Sequence, residues 1–148
     1  ETVLRVNDAV KARMVEKVEQ VCGELAGKRV AVLGLAFKPE TDDIRDSSSL
    51  KLIEDLVARG ASVAAYDPAA MENTKAVLPG IEYAEDVYAC AAGADALVLA
   101  TDWNQFRKLD LARLEATMKA KRFVDLRNLY EPREMKRLGW EYVAIGRA

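Results

Sequence analysis

The sequence predicts an α/β fold: a doubly wound, mainly parallel sheet with helices on both faces, preceded by an N-terminal helix. Three observations predict it. The apolar run at 29–35 has the character of a strand buried on both faces, 94–100 reads as another buried strand, and 61–66 and 122–126 read as further strands. Between them lie stretches of helical period, the first with Leu50, Ile53, Leu56 and Val57 facing inward. Strands alternating with helices at this spacing call for right-handed crossovers, and hence for parallel strands.

The elements follow in order. Residues 2 to 22 read as an amphipathic helix, with Val3, Val6, Val10, Met14, Val18 and Val21 on one face and Lys11, Arg13, Glu16, Lys17 and Glu19 opposite. That stripe needs cover, either from the rest of this domain or from another. Gly23 and Gly27 bracket a linker, so the expected boundaries are 1–26 for the helix and linker and 27–148 for the sheet domain. A strand at 29–35 leads into a long loop, and Ser47, Ser48 or Ser49 caps a helix that Gly60 stops. A strand at 61–66 ends at Asp67-Pro68. A short helix at 71–77, an extended piece at 81–83 and a helix at 86–92 come next. Then a strand at 94–100 closes at Thr101-Asp102-Trp103, followed by a helix at 109–119, a strand at 122–126, a helix at 131–138 and a final strand at 140–145.

Composition narrows the function. With 148 residues, 51% hydrophobic and 31% charged, the chain has the make-up of one soluble globular domain with a real core. A net charge of −2 argues against non-specific nucleic-acid binding, so any anionic ligand must be held by a few local cations. No apolar run reaches the length of a membrane span and no signal peptide opens the chain. Cys22 and Cys90 lack metal-ligand spacing, and the chain contains 0 histidines, which argues against a zinc site and excludes any Ser-His or Cys-His pairing within it. Both cysteines read as buried thiols of a cytoplasmic protein. The chain opens on Glu1 inside a helical pattern, which reads as a piece of a larger polypeptide.

The loop after the first strand carries Lys38, Asp42, Asp43 and Arg45 at the edge where open α/β sheets bind ligands. Arg45 as a planar fork and Lys38 as a point charge suit phosphate groups. A solvated charge cluster at a helix start is the alternative, preferred for the acids. The dinucleotide fingerprint matches poorly, with Gly34 alone where three glycines belong. Asp67 lies 33 positions after Gly34, against about 20 for a ribose-binding acid. Arg127 follows another strand end, either as an anion-binding group or as a surface arginine paired with Asp125. Trp103 and Phe106 read as packing aromatics over the sheet edge in preference to a base-stacking platform.

Gly34-Leu-Ala-Phe-Lys-Pro-Glu-Thr-Asp-Asp-Ile-Arg-Asp-Ser-Ser-Ser-Leu50 resembles the signature of the C-terminal domain of the UDP-glucose/GDP-mannose dehydrogenase family. Tyr66-Asp67-Pro68, Thr101-Asp102-Trp103, Asp125-Leu126-Arg127-Asn128 and Ile145-Gly146-Arg147 recur in the same order, so the likeness spans the whole chain. Thr41 to Arg45 is most similar to the members that oxidise UDP-glucose. The resemblance implies a Rossmann-like domain that binds the UDP portion of a UDP-sugar. It also implies N-terminal and central domains of the same polypeptide, NAD held mainly by the N-terminal one, and a homodimer built on the central one. By motif, Phe37, Lys38 and Arg127 would lie at the substrate and Arg45 at the NAD pyrophosphate. Nothing here matches the family's catalytic cysteine motif, so no catalytic residue is expected in this chain and the chain alone should be inactive. Alternatives are the same domain of a GDP-mannose or UDP-N-acetylhexosamine dehydrogenase, or a non-enzymatic nucleotide-sensing module.

Overall fold

The computed structural model describes residues 14–36, 44 and 47–144. Helix α1 is followed over residues 14–22. The order is then β1 (Arg29–Leu33), α2 (Ser48–Ala58), β2 (Ser62–Tyr66), α3 (Met71–Val77), β3 (Glu82–Tyr83), α4 (Val87–Ala91) and β4 (Ala96–Leu99). A 3-10 turn (Asn104–Lys108), α5 (Leu111–Thr117), β5 (Arg122–Asp125), α6 (Pro132–Arg137) and β6 (Glu141–Ala144) complete it.

The six strands form one sheet in the order β3-β2-β1-β4-β5-β6, and every pairing is parallel. Alternate residues of the central strands serve opposite faces, which is why those strands read as unbroken apolar runs. Val30, Val32, Val63, Ala65, Val98 and Val124 face a core closed by α1, α2 and α3. Ala31, Leu33, Leu97, Leu99 and Phe123 face the other, closed by α4, α5, α6 and the 3-10 turn.

Helix α1 settles part of the question its stripe posed. Met14, Val15, Val18 and Val21 are buried against this domain's own β-strands and α2, so the cover at those positions comes from the chain itself. Val3, Val6 and Val10 lie outside the described residues.

Two expectations for α2 are corrected. Ser47 occupies the N-cap position, but its side chain makes no cap hydrogen bond. Its hydroxyl instead donates to the Leu35 carbonyl at 2.7 Å, which ties the helix start to the end of β1. Val57 does not face inward: it is 48% exposed, whereas Leu52, Ile53 and Leu56 are fully buried. The buried stripe is centred on Ser49, Leu52, Ile53 and Leu56, and Val57 falls on its flank. There it borders an apolar groove with Ile53, Val77, Leu78, Pro79 and Ile81. The groove opens near the ends of α2 and α3, on the side away from the strand ends that form the candidate site.

Helices α4, α5 and α6 begin as capping rules require, whereas α3 starts behind Ala70 without a side-chain cap. Asp86 accepts from the Ala89 amide at 2.8 Å, Asp110 from the Arg113 amide at 3.1 Å, and Pro132 opens α6 behind Glu131. The 3-10 turn at 104–108 is an element that periodicity did not indicate. It seats Phe106, which is fully buried, in the second core.

Candidate functional site

The order of strands reverses between β1 and β4, and open sheets of this kind take ligands in the crevice at that reversal. The edge there is made by residues 34–36, 101–103 and 126–130. Phe37, Lys38 and Arg45 lie outside the described residues, as do Asp42, Asp43 and Asp46. What is described is the framework on which that loop is mounted.

Gly34 adopts φ +102°, and a Cβ there would lie 2.4 Å from Thr101 Cβ and 2.7 Å from the Thr101 nitrogen. The exit from β1 therefore runs against β4 only because residue 34 has no side chain. The next two residues are fastened on every side. Their amides donate to Asp67 Oδ2, from Leu35 at 2.7 Å and from Ala36 at 3.2 Å. The Leu35 carbonyl accepts from Ser47, and the Ala36 carbonyl accepts from the Thr101 hydroxyl at 3.3 Å. Asp67 Oδ1 accepts the Ala69 and Ala70 amides, each at 2.8 Å. Asp67 is fully buried, and its four donors replace the water it has lost.

This arrangement explains the poor dinucleotide fingerprint. Asp67 stands at the end of β2, where a ribose-binding acid would stand, but both its oxygens are engaged by the backbone. The described residues therefore do not fit a dinucleotide held in the ordinary Rossmann manner.

A second buried carboxylate serves the end of β5. Asp125 Oδ1 accepts the Arg127 amide at 3.1 Å. Its Oδ2 accepts the Leu129 and Tyr130 amides at 2.8 and 2.9 Å and lies 2.7 Å from the Tyr142 hydroxyl. The chain reverses through Asn128 at φ +56°, a conformation asparagine tolerates better than most residues. Arg127 sits exposed on this turn and its side chain makes no ion pair among the described residues. The Asp125–Arg127 side-chain pair offered above as the alternative is therefore not formed; Asp125 holds the arginine's backbone instead. With adjacent strands about 4.8 Å apart, the ends of β1 and β5 are roughly 10 Å from one another, with β4 between them.

The loop after β5 is also braced against the one after β4. The Tyr130 hydroxyl donates to the Phe106 carbonyl at 2.6 Å and accepts from the Leu109 amide at 3.0 Å. Burial pushes this phenol up to about 12, so it stays a neutral donor at neutral pH. Arg107 pairs with Asp102 Oδ2 at 2.6 Å, while Asp102 Oδ1 and the Trp103 indole nitrogen are buried without a hydrogen-bond partner among the described residues. Phe106 is wholly buried and Trp103 half-buried, in keeping with aromatics that pack over the sheet edge.

Both thiols are buried as expected. Burial pushes the Cys90 thiol up to about 12 and raises Cys22 as well, so neither is activated as a nucleophile. Among the described residues no three His, Cys, Asp or Glu side chains are grouped as a metal site would need.

Residues 31–132 match the sequence model of the UDP-glucose/GDP-mannose dehydrogenase family, UDP binding domain. The chain belongs to this family. The UDP-glucose 6-dehydrogenase of Rhizobium meliloti (strain 1021) is 47% identical over 148 residues, covering 99% of this chain and 34% of that protein. Among solved structures, a UDP-glucose dehydrogenase from the hyperthermophilic archaeon Pyrobaculum islandicum superposes with a TM-score of 0.79 at 37% identity, over 96% of this chain and 30% of that one. An NDP-N-acetyl-D-galactosaminuronic acid dehydrogenase from Methanosarcina mazei Go1 gives 0.82 at 30% identity, over 97% of this chain and 30% of that one. This family member thus spans about a third of the length of the curated relatives it matches.

Sequence reasoning named Arg127 and Asp125 but gave Asp125 a side-chain pair in place of its hold on the loop backbone, and it missed Tyr142. An aspartate placed at a strand end, two residues before a loop arginine, was the available signal.

Proposed function

We propose that this chain is the UDP-binding C-terminal part of an NAD-dependent UDP-glucose 6-dehydrogenase, in which UDP-glucose is oxidised to UDP-glucuronate. The observation that carries the reading is Arg127, exposed and free of ion pairs among the described residues, on a turn held rigid beside the sheet's reversal point. A guanidinium so placed suits a diphosphate, because its fork donates hydrogen bonds to two phosphate oxygens at once. Phe37 and Lys38 complete the substrate side in this reading, and Arg45 meets the NAD pyrophosphate across the cleft. NAD is otherwise held by an N-terminal domain of the same polypeptide, in line with the engagement of Asp67 by backbone amides. Residues 1–26 belong to the end of a central-domain helix and its linker, the complete enzyme is a homodimer, and its setting is cytoplasmic. No described helix is long and apolar enough to cross a membrane.

The test is separate kinetics for the two substrates in the full-length polypeptide. Lys38→Ala and Arg127→Ala should each raise KM for UDP-glucose with little change for NAD. Arg45→Ala should do the reverse. Each phosphate contact removed is worth about 1.5–3 kcal/mol, roughly ten- to a hundredfold in affinity. An Arg45 variant perturbed only in UDP-glucose would refute the division of roles. The Methanosarcina mazei neighbour is named for another sugar nucleotide, so titration with UDP, GDP and a UDP-N-acetylhexosamine decides the substrate. Preference for GDP would overturn the uridine assignment. The isolated 148-residue chain should produce no NADH.

A further inference from the structure

The turn that presents Arg127 has no extended secondary structure of its own; it hangs on Asp125. Oδ2 of that carboxylate sits among two amides and the Tyr142 hydroxyl, the last at 2.7 Å. The same hydroxyl lies 3.0 Å from the Tyr130 carbonyl, so among the described residues its single proton has two acceptors, of which the carboxylate is the nearer. Tyr142 belongs to β6, the edge strand, and is in register with Phe123 of β5, two residues before Asp125. Its ring rests against Phe123 with centroids 5.8 Å apart, so the hydroxyl reaches Asp125 from a ring already held by packing.

We infer that Tyr142 is a positioning residue for Arg127: by fixing the Asp125 carboxylate, its hydroxyl sets the turn that holds the guanidinium at the nucleotide. The inference rests on the anion-binding role proposed for Arg127. Without the hydroxyl, Asp125 keeps its three amides but loses the one hydrogen bond it receives from outside the turn among the described residues. The carboxylate and the turn, Asn128 in its left-handed conformation included, can then shift together. The consequence reaches the ligand because Arg127's own amide is bound to the same carboxylate.

The experiment is a double-mutant cycle in the full-length polypeptide, with UDP as the probe in calorimetry and NAD binding measured in parallel. Tyr142→Phe preserves the ring and its packing. It should weaken UDP about tenfold, the scale of one charge-assisted hydrogen bond, and change NAD by less than about twofold. In an Arg127→Ala background, Tyr142→Phe should have no further effect on UDP, because the group it positions is gone. A Tyr142→Phe variant that binds UDP normally overturns the inference, as does equal weakening in both backgrounds. If Arg127→Ala itself leaves UDP affinity intact, the parent reading of Arg127 is what fails. Amide exchange at Arg127, Leu129 and Tyr130 gives a ligand-free readout: it should accelerate in Tyr142→Phe, and unchanged exchange would also sink the inference.

Discussion

At the scale of single residues, Gly34 and Asp67 show how one position can organise a binding edge. Replacing Gly34 by alanine would place a methyl 2.4 Å from Thr101 Cβ on a backbone at φ +102°. We expect Gly34→Ala to cost about 3 kcal/mol or more in urea unfolding, combining backbone strain with a steric clash. Thr101→Ala should not rescue it, since the Thr101 backbone nitrogen remains 2.7 Å away. A fully stable Gly34→Ala variant would mean that β1 and β4 can separate at this point without loss. The sequence marked Gly34 as the lone survivor of a glycine pattern, but not why it must be glycine: its neighbour Thr101 is remote in the chain. Asp67 was legible as an acid at a strand end, whereas its four backbone donors were not. Their identity depends on where β1 and β2 place their loops.

At the scale of elements, periodicity located every strand and every helix after residue 28, because each must present an apolar face to a core on its own side of the sheet. It failed in α2 over a rotation of one residue. Leu56 and Val57 are adjacent apolar residues, and the sequence placed both inward; Leu56 is fully buried and Val57 is 48% exposed. Leu56→Ala should therefore cost about 2–5 kcal/mol, while Val57→Ala should stay within about 1 kcal/mol. Thermal or urea unfolding of the two variants checks this, and equal losses would return Val57 to the core face. The 3-10 turn at 104–108 was illegible for a related reason. Five residues are too few for a period to emerge, and only the docking of Phe106 defines the element.

At the scale of the whole molecule, burial couples stability to alkaline pH. Cys90 ionises at an ordinary value of 9.0 when unfolded but is held at about 12 in the fold by burial. Above pH 9 the unfolded chain therefore releases a proton that the folded chain keeps. Stability should fall by about 1.4 kcal/mol per pH unit from this group until pH approaches 12. Tyr130, raised from 10.0 to about 12, adds to the fall over the upper part of that range. Urea unfolding at pH 8, 9.5 and 11 measures the slope. Cys90→Ala should flatten it whatever the variant's stability at pH 8, and an unchanged slope would clear the thiol of any part in it. The sequence by itself determined the fold class, the order of the elements and the edge at which a ligand would sit. Those follow from local period, from crossover handedness and from the rule that strand ends carry the loops. Only the tertiary structure decided that Asp67 and Asp125 are scaffold, that Arg127 makes no ion pair among the described residues and that Tyr142 reaches its turn. The Leu35 and Ala36 amides on Asp67 and the Tyr142 hydroxyl on Asp125 are contacts between segments adjacent in space but distant along the chain, and no local pattern records the direction in which a side chain meets such a partner.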